Sequence, residues 1–416
     1  MIRIRRCPRT HEVFVLNGVA ALLAATAWLW WKTEMLLQYF YYDRLLALTH
    51  LVTLGFLTSM MMGVLHRLSP MLLKVEASSR SVARFQLVLF LVGSWGMIAH
   101  FWLGEAIGMS WSALLVLGAA LLQLWNFRGL FRASSKTKWP RLFVASSLVF
   151  LLLAASLGVL LALVKAYDVR PAFLADDHLA NLFAHAHLAA VGWVANMIFG
   201  FQLEIVPTTE GASSSLPLRF ALLQVGTVGL TMGFLGGVSL FPFALMIVVA
   251  CLWQGFSPAR SFLRGRTREW DMAPLFVLAV VASMGLVLAL GWPEQADPAR
   301  GRVQLAYGFL GLYGFMVLTV SAVAPKLFPI WVWKERYRDE YGKHPVPGMK
   351  ELPDKRLIRF ANSAILLGTL STTVSICLAF PEGLLMAATI LLAGVCAFVT
   401  NLLRIVRHSL LELAPR

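Results

Sequence analysis

The sequence predicts an all-α integral membrane protein of about 12 transmembrane helices, arranged as three parallel four-helix repeats about a pseudo-threefold axis normal to the membrane. Three observations carry this expectation. Hydrophobic residues make up 59% of the 416-residue chain and charged residues only 14%, with a mean hydropathy of +0.73, an apolar share above that of soluble domains. Lysine and arginine gather in alternate connections. A helix-length pattern recurs three times without a gap. The formal charge of +15 is accounted for by a basic rim facing anionic lipid, so the expected partner is the lipid bilayer and no nucleic acid.

The recurring pattern is clearest from Asn181 to Thr209, NLFAHAHLAAVGWVANMIFGFQLEIVPTT, an apolar run with two histidines near one end and a proline stop at the other. Counted from His187, its landmarks are Leu188, Gly192, Trp193, Gly200, Ile205 and Pro207. The same offsets from His50 give Leu51, Gly55, Phe56, Gly63, Leu68 and Pro70, and from Phe309 they give Leu310, Gly314, Phe315, Ala322, Leu327 and Pro329. Histidine holds the anchor in two copies and phenylalanine in the third.

A bilayer core about 30 Å thick takes roughly 20 apolar residues per helix. On that rule the spans fall at 13–32, 43–68, 85–107, 110–131, 141–166, 179–206, 217–235, 238–257, 271–292, 303–328, 357–379 and 382–404. The opening MIRIRRCPR leads into an apolar run of spanning length with no small-residue cleavage site, so a retained first span is expected in place of a signal peptide. The repeated helices are spans two, six and ten, each second in a block of four. Repeats one, two and three then cover 1–140, 141–270 and 271–416 of a single membrane domain, one unit copied around an axis. An even number of spans separates the copies, so they run in the same direction.

With the N-terminus inside, 30 of the 36 lysines and arginines lie on its side, among them Arg3, Arg5, Arg6, Arg128, Arg132, Lys136, Lys138, Arg264, Arg266 and Arg268. The opposite side holds only Lys32, Arg44, Lys165, Arg170, Arg300 and Arg302. Cytoplasmic loops collect such residues, which places both termini in the cytoplasm of a bacterial-type inner membrane. The connections are short apart from the segment after Pro329, IWVWKERYRDEYGKHPVPGMKELPDKR, whose aromatic and cationic residues favour the headgroup layer. Glu34, Asp43, Glu105, Asp176 and Asp177 make the outer face mildly acidic, which fits a basic donor such as cytochrome c. Arg67, Glu204 and Lys326 recur at the inner ends of the repeated helices, where snorkelling accounts for them and an ion pair between repeats is the alternative.

The cysteines, Cys7, Cys251, Cys377 and Cys396, are scattered without the spacing of a disulfide framework or a zinc site. A phosphate loop, a nucleophile elbow and paired carboxylates within a span are all absent, so soluble-type catalysis is not expected.

Histidine inside hydrocarbon is costly and points to function, although a hydrogen bond between helices satisfies it too. His50 lies near the outer end of span two, ~10 Å below the surface at about 1.5 Å per residue. His187 in span six and His100 in span three share that level. Imidazole suits copper and haem iron, so His50 and His187 are the candidate cofactor ligands, with His185 and His100 as further candidate metal ligands. His185 and His187 are rotated by ~200° on a regular helix and cannot both face one ion. The glycines at Gly55, Gly63, Gly192 and Gly200 allow either close helix packing or the approach of a flat macrocycle. His178 reads as a solvated outer residue, His66 as interfacial, and His11, His344 and His408 as surface residues.

Together, 12 spans, three parallel repeats and outer-leaflet histidines in THLVTLGF and HAHLAAVGW resemble subunit I of the haem-copper oxidase superfamily, especially the nitric oxide reductase and C-type oxidase branch and the short NnrS-like membrane proteins. The resemblance covers the architecture of nearly the whole chain and, in motif, the three repeated helices. It implies that His50 matches a low-spin haem ligand and that His185 or His187 falls where the family has a copper ligand. It also implies haem b, copper, a cytochrome c or quinol donor, partner membrane subunits and an oxidoreductase role. Span ten departs from the family pattern, having Tyr307 and Tyr313 but no histidine, and span seven lacks the paired histidines that complete the copper site. The expected function is therefore a haem- or copper-binding redox membrane protein. A non-redox metal or small-molecule carrier, an assembly subunit on the same scaffold, or an active oxidase or nitric oxide reductase are the alternatives.

Overall fold

The structure, a computed structural model, describes residues 3–4, 8–39, 41–132, 138–205, 214–263 and 298–412. Among them the chain is helical, apart from a short antiparallel pairing of Arg3–Ile4 with Leu411–Glu412. Ten helices are long and apolar enough to cross a membrane. They are α1 (Thr10–Trp31), α2 (Asp43–Leu72), α3 (Arg80–Leu103), α4 (Ala106–Asn126), α5 (Lys138–Tyr167), α6 (His178–Ile205) and α7 (Leu216–Gly236), then, beyond α8, α9 (Gly301–Arg336), α10 (Lys355–Leu378) and α11 (Pro381–Leu410). Helix α8 (Phe241–Leu263) carries a shorter apolar run, Phe241–Phe256. The predicted span 271–292, together with Pro207, Arg264, Arg266 and Arg268, lies outside the described residues.

The chain forms two compact units, one of Met1–Phe40 with Arg268–Arg416 and one of Tyr41–Thr267. In the first, α11 packs against α10, α9 and α1; in the second, neighbours in sequence pack in antiparallel pairs from α2 to α8. Local signals set the helix ends. Glu105, Asp177 and Asp354 accept first-turn N–H groups of α4, α6 and α10, as N-caps do. Helices α3 and α7 end on Gly104 and Gly237 at φ 69° and 70°, and α10 ends on Ala379 at φ 51°. The left-handed cap is easy for glycine and strained for alanine.

The three repeated helices share a feature that their sequences do not announce. Each widens into an eight-residue π-helical middle that begins one residue after its anchor: Leu51–Thr58 after His50, Leu188–Ala195 after His187 and Leu310–Val317 after Phe309. A π-turn displaces carbonyls from the α ladder, and side chains collect them. Ser59 Oγ donates to Leu54 O at 3.4 Å, and Asn196 Nδ2 to Val191 O at 3.2 Å and Gly192 O at 2.9 Å. Gln224 of α7 in turn donates to Asn196 Oδ1 at 2.7 Å. Such π segments are rare and cluster at functional sites.

The prolines do not stop these helices as the sequence led us to expect. Pro70 lies within α2, and α9 runs past Pro325 and Pro329 to Arg336. Each proline removes one donor, but Phe328, Trp331 and Val332 beside Pro329 are fully buried, and their packing offsets the lost bond. Beyond it, Trp333 Nε1 donates to Pro347 O at 2.9 Å, fastening the start of the connection to α10.

Candidate metal centre

Residues of α2, α3, α5, α6 and α7 build the centre, all within the unit Tyr41–Thr267. His50 donates Nδ1–H to Leu46 O at 2.8 Å, one turn back on its own helix. His187 does the same to Phe183 O, also at 2.8 Å. A carbonyl can only accept, so both rings carry the proton on Nδ1 and the lone pair on Nε2. This is the tautomer of an Nε2 metal ligand whose other nitrogen is held by the protein.

The aromatic support of the two rings is also matched. His50 stacks on Phe101 with centroids 4.8 Å apart, and His187 lies 5.3 Å from Phe234. Phe101 and Phe234 each stand three residues before the left-handed cap of the next helix, α3 or α7. The two histidines are therefore equivalent in position, hydrogen bond and packing.

His185 points elsewhere, as two residues of helix require. Its Nδ1–H donates to Ala154 O of α5 at 3.0 Å, and a Cβ at Gly158 would lie 2.9 Å from its Cε1. His187 meanwhile faces Phe234 of α7. His185 also lies within electrostatic reach of His50. Register explains why: Trp193 Nε1 donates to Thr58 Oγ1 at 3.2 Å across 135 residues of sequence, and His50 and His185 are separated by the same 135. Two interactions at one offset fit parallel helices, with Trp193 bonded to Thr58 and His185 within electrostatic reach of His50. The sequence alignment had instead equated His50 with His187, which share a position in the repeat.

His100 is turned away from this pair. Its Nδ1 sits 3.1 Å from Glu105 Oε2 at the α3–α4 turn. Above Phe101, Lys165 pairs with Asp43 and approaches the rings of Phe101 at 6.0 Å and Tyr41 at 5.8 Å, while Tyr41 contacts His178 at 5.6 Å. A layer of charge and aromatic rings thus separates His50 from the nearest end of the unit.

A copper ion suits the chemistry of His50 and His185 as donors, since both rings direct Nδ1 to a backbone carbonyl and keep Nε2 as the ligand atom. A haem finds less provision. In the second copy the glycines expected to admit a macrocycle are filled: a Cβ at Gly192 would lie 2.6 Å from Phe150 Cγ, and one at Gly200 2.5 Å from Val144 Cγ2. Those glycines bring α6 against α5.

Two polar clusters escaped the sequence. His66 Nε2 meets Gln86 Oε1 at 3.2 Å, Gln86 Nε2 donates to Gln123 Oε1, and Met62 Sδ lies 3.5 Å from Gln86 Nε2. The two glutamines, fully buried on α3 and α4, make His66 an interior residue. In the other unit His11 is buried, 8% exposed, with its ring 5.2 Å from that of Trp331. Possible ligand atoms of His11, Glu12 and Glu335 lie within 4.8 Å of one another. Glu12 accepts from Arg9 N and Ser409 Oγ at 2.7 Å each, and Arg9 pairs with Glu335 at 2.6 Å, so this group closes the ends of α1, α9 and α11. His408 shares a 2.6 Å hydrogen bond with Tyr337. His11 and His408 are thus structural residues, not free surface ones, and only long-range partners reveal it. No protein-family model matches the chain, and no curated protein matches its sequence.

Proposed function

We propose that this is a multi-pass membrane protein that holds a redox metal between α2 and α6, with His50 and His185 as the ligands of a copper ion. The observation that carries the reading is that these two histidines each have Nδ1 held by a backbone carbonyl, on helices joined by the Trp193–Thr58 hydrogen bond. Bound copper would supply one-electron chemistry. The chain itself would set the ring tautomers through Leu46 O and Ala154 O and would exclude water through Phe101, Phe150 and Leu157. Asp43 and Lys165 would govern approach from the outer side.

A second reading has its own support. His187 repeats the hydrogen bond and aromatic contact of His50, which favours haem b with His50 and His187 as axial ligands. Both readings place the chain beside the haem-copper oxidase superfamily, with 12 spans in three repeats and electrons supplied by a quinol or cytochrome c. The recurring π segments after His50, His187 and Phe309 support the threefold plan. Phe309 stacks on Tyr313 at 4.8 Å where a third ligand would stand, which favours electron transfer over a complete oxygen- or nitric oxide-reducing centre.

The deciding experiment is metal analysis with a reduced-minus-oxidised spectrum on the wild type and on His50→Ala, His185→Ala and His187→Ala. Stoichiometric copper lost in the first two variants supports the copper site. A Soret band lost in the first and third supports haem. A wild type with neither copper nor a Soret band overturns both.

A further inference from the structure

Arg219 lies in the first turn of α7 and is only 6% exposed. Arginine buried beside hydrocarbon is rare and is ordinarily paired with an anion or with carbonyls. Arg219 is not. Its Nη1 reaches Gln254 Oε1 at a long 3.4 Å, its guanidinium lies 5.1 Å over the ring of Trp253, and its Nε is buried with no hydrogen-bond partner among the described residues. The backbone carbonyl of Gln254 accepts separately from Gln202 Nε2 at 3.3 Å. Glu204, the carboxylate at the end of α6, has Lys74 as its cationic neighbour. A buried guanidinium thus has a neutral amide and an indole around it where a carboxylate would be expected.

The surroundings indicate the missing anion. Arg219 stands at the positive end of a 21-residue helix, whose first-turn dipole favours negative charge. Phe220, the next residue, touches Trp139 at 6.0 Å, and Lys138 lies 5.3 Å over that Trp139 ring. Tryptophans with adjacent cations mark the headgroup layer. Arginine's planar fork matches phosphate oxygens two at a time.

We propose that Arg219, with the first turn of α7, Gln254 and Trp253, forms a binding site for phosphate oxygens, and that its occupant is the phosphodiester of an anionic phospholipid. Free inorganic phosphate would satisfy the same guanidinium. The position at the edge of the apolar part of α7, flanked by Trp139 and Trp253, favours the lipid. The site is independent of the histidine centre.

The test uses the full chain, with wild type, Arg219→Met and Arg219→Lys purified in a neutral detergent. Bound lipid is counted by native mass spectrometry and phosphorus analysis. Thermal stability is then measured with added phosphatidylglycerol, phosphatidylcholine or inorganic phosphate. Arg219→Met keeps the side chain's length and removes a buried charge, so the fold is expected to survive; Arg219→Lys keeps the charge without the fork. The expected result is phosphatidylglycerol retained by the wild type, bound about 10- to 100-fold more weakly by Arg219→Met and intermediately by Arg219→Lys. Equal retention by all three proteins overturns the site. Stabilisation by inorganic phosphate with no gain from phosphatidylglycerol overturns the lipid assignment.

Discussion

Gly158 holds the ring of His185 in place by having no side chain. A methyl group there would lie 2.9 Å from Cε1 and 3.4 Å from Nδ1, too close for the ring to keep its bond to Ala154 O. Gly158→Ala is expected to lower stability by about 1–3 kcal/mol, the usual cost of overpacking, and, on the proposed copper reading, to reduce metal content as far as His185→Ala does. Metal analysis beside a thermal melt checks this, and a stable Gly158→Ala protein with full copper content would show that the seat of His185 is immaterial. A second residue-scale prediction concerns pH. At Asp354 burial alone would raise the carboxyl, but the N–H groups of Leu357 and Arg356 and the charge of Arg404, 2.9 Å away, outweigh it and hold the group below its ordinary 3.8. A depressed folded-state value contributes stability above 3.8 that is lost as the pH falls through the lower one. The difference in stability between wild type and Asp354→Ala, about 1 kcal/mol for a helix cap, is therefore expected at neutral pH and should shrink in denaturation curves as the pH is taken progressively below 3.8. The histidines of HAHL were legible in the sequence because charge-bearing rings stand out in an apolar run. Their partners were not: Ala154 lies 31 residues from His185 and looks like any other alanine of α5.

At the scale of the element, the repeated helices depend on how their π-turns are closed. Asn196 serves two displaced carbonyls of α6 and accepts from Gln224, whereas Ser59 serves one carbonyl of α2 at 3.4 Å. Asn196→Ala is expected to destabilise by about 1–3 kcal/mol, since a buried acceptor and donor both lose their partner, and Ser59→Ala by about 0.5 kcal/mol. Chemical denaturation of both variants in one detergent gives the comparison, and equal losses would mean that these side chains do not hold the π-turns open. The Trp193 indole tests the meeting of α2 and α6 in the same way. Trp193→Phe and Thr58→Val should each cost about 1 kcal/mol, and together little more than either alone, as groups sharing one bond do in a double-mutant cycle. The common offsets of the three copies were readable before the structure because glycine and aromatic landmarks survive in them. The π-turns were not, because one extra residue per turn leaves no trace in a run that is apolar on every face. Proline misled for a related reason: a missing donor ends a helix in water, yet around Pro329 the packing of Phe328, Trp331 and Val332 outweighs it.

At the scale of the whole molecule, hydropathy was legible because a bilayer imposes it on each helix that crosses it. Among the described residues ten helices meet the length and composition that crossing requires, and cation–aromatic pairs fall at helix ends: Arg44 on Trp102, Arg128 on Trp125 and Lys138 on Trp139. The eighth span was harder to read, since α8 carries its apolar residues in the shorter run Phe241–Phe256. The direction of the set is proposed from charge alone. Lys74, Arg80, Arg128 and Arg132 border the α2–α3 and α4–α5 connections. The α5–α6 connection offers Lys165 and Arg170, each paired with an aspartate, Asp43 or Asp176. From the positive-inside bias we propose that the first two connections are cytoplasmic and the third lies outside. In a chain whose native cysteines are replaced by alanine, Phe173→Cys, exposed in the α5–α6 connection, should react with an impermeant maleimide on intact cells. Glu76→Cys, exposed between α2 and α3, should react only after permeabilisation. The opposite pattern would invert the molecule, moving Asp43, Lys165 and the approach to His50 to the cytoplasmic side and excluding an outer cytochrome as electron donor.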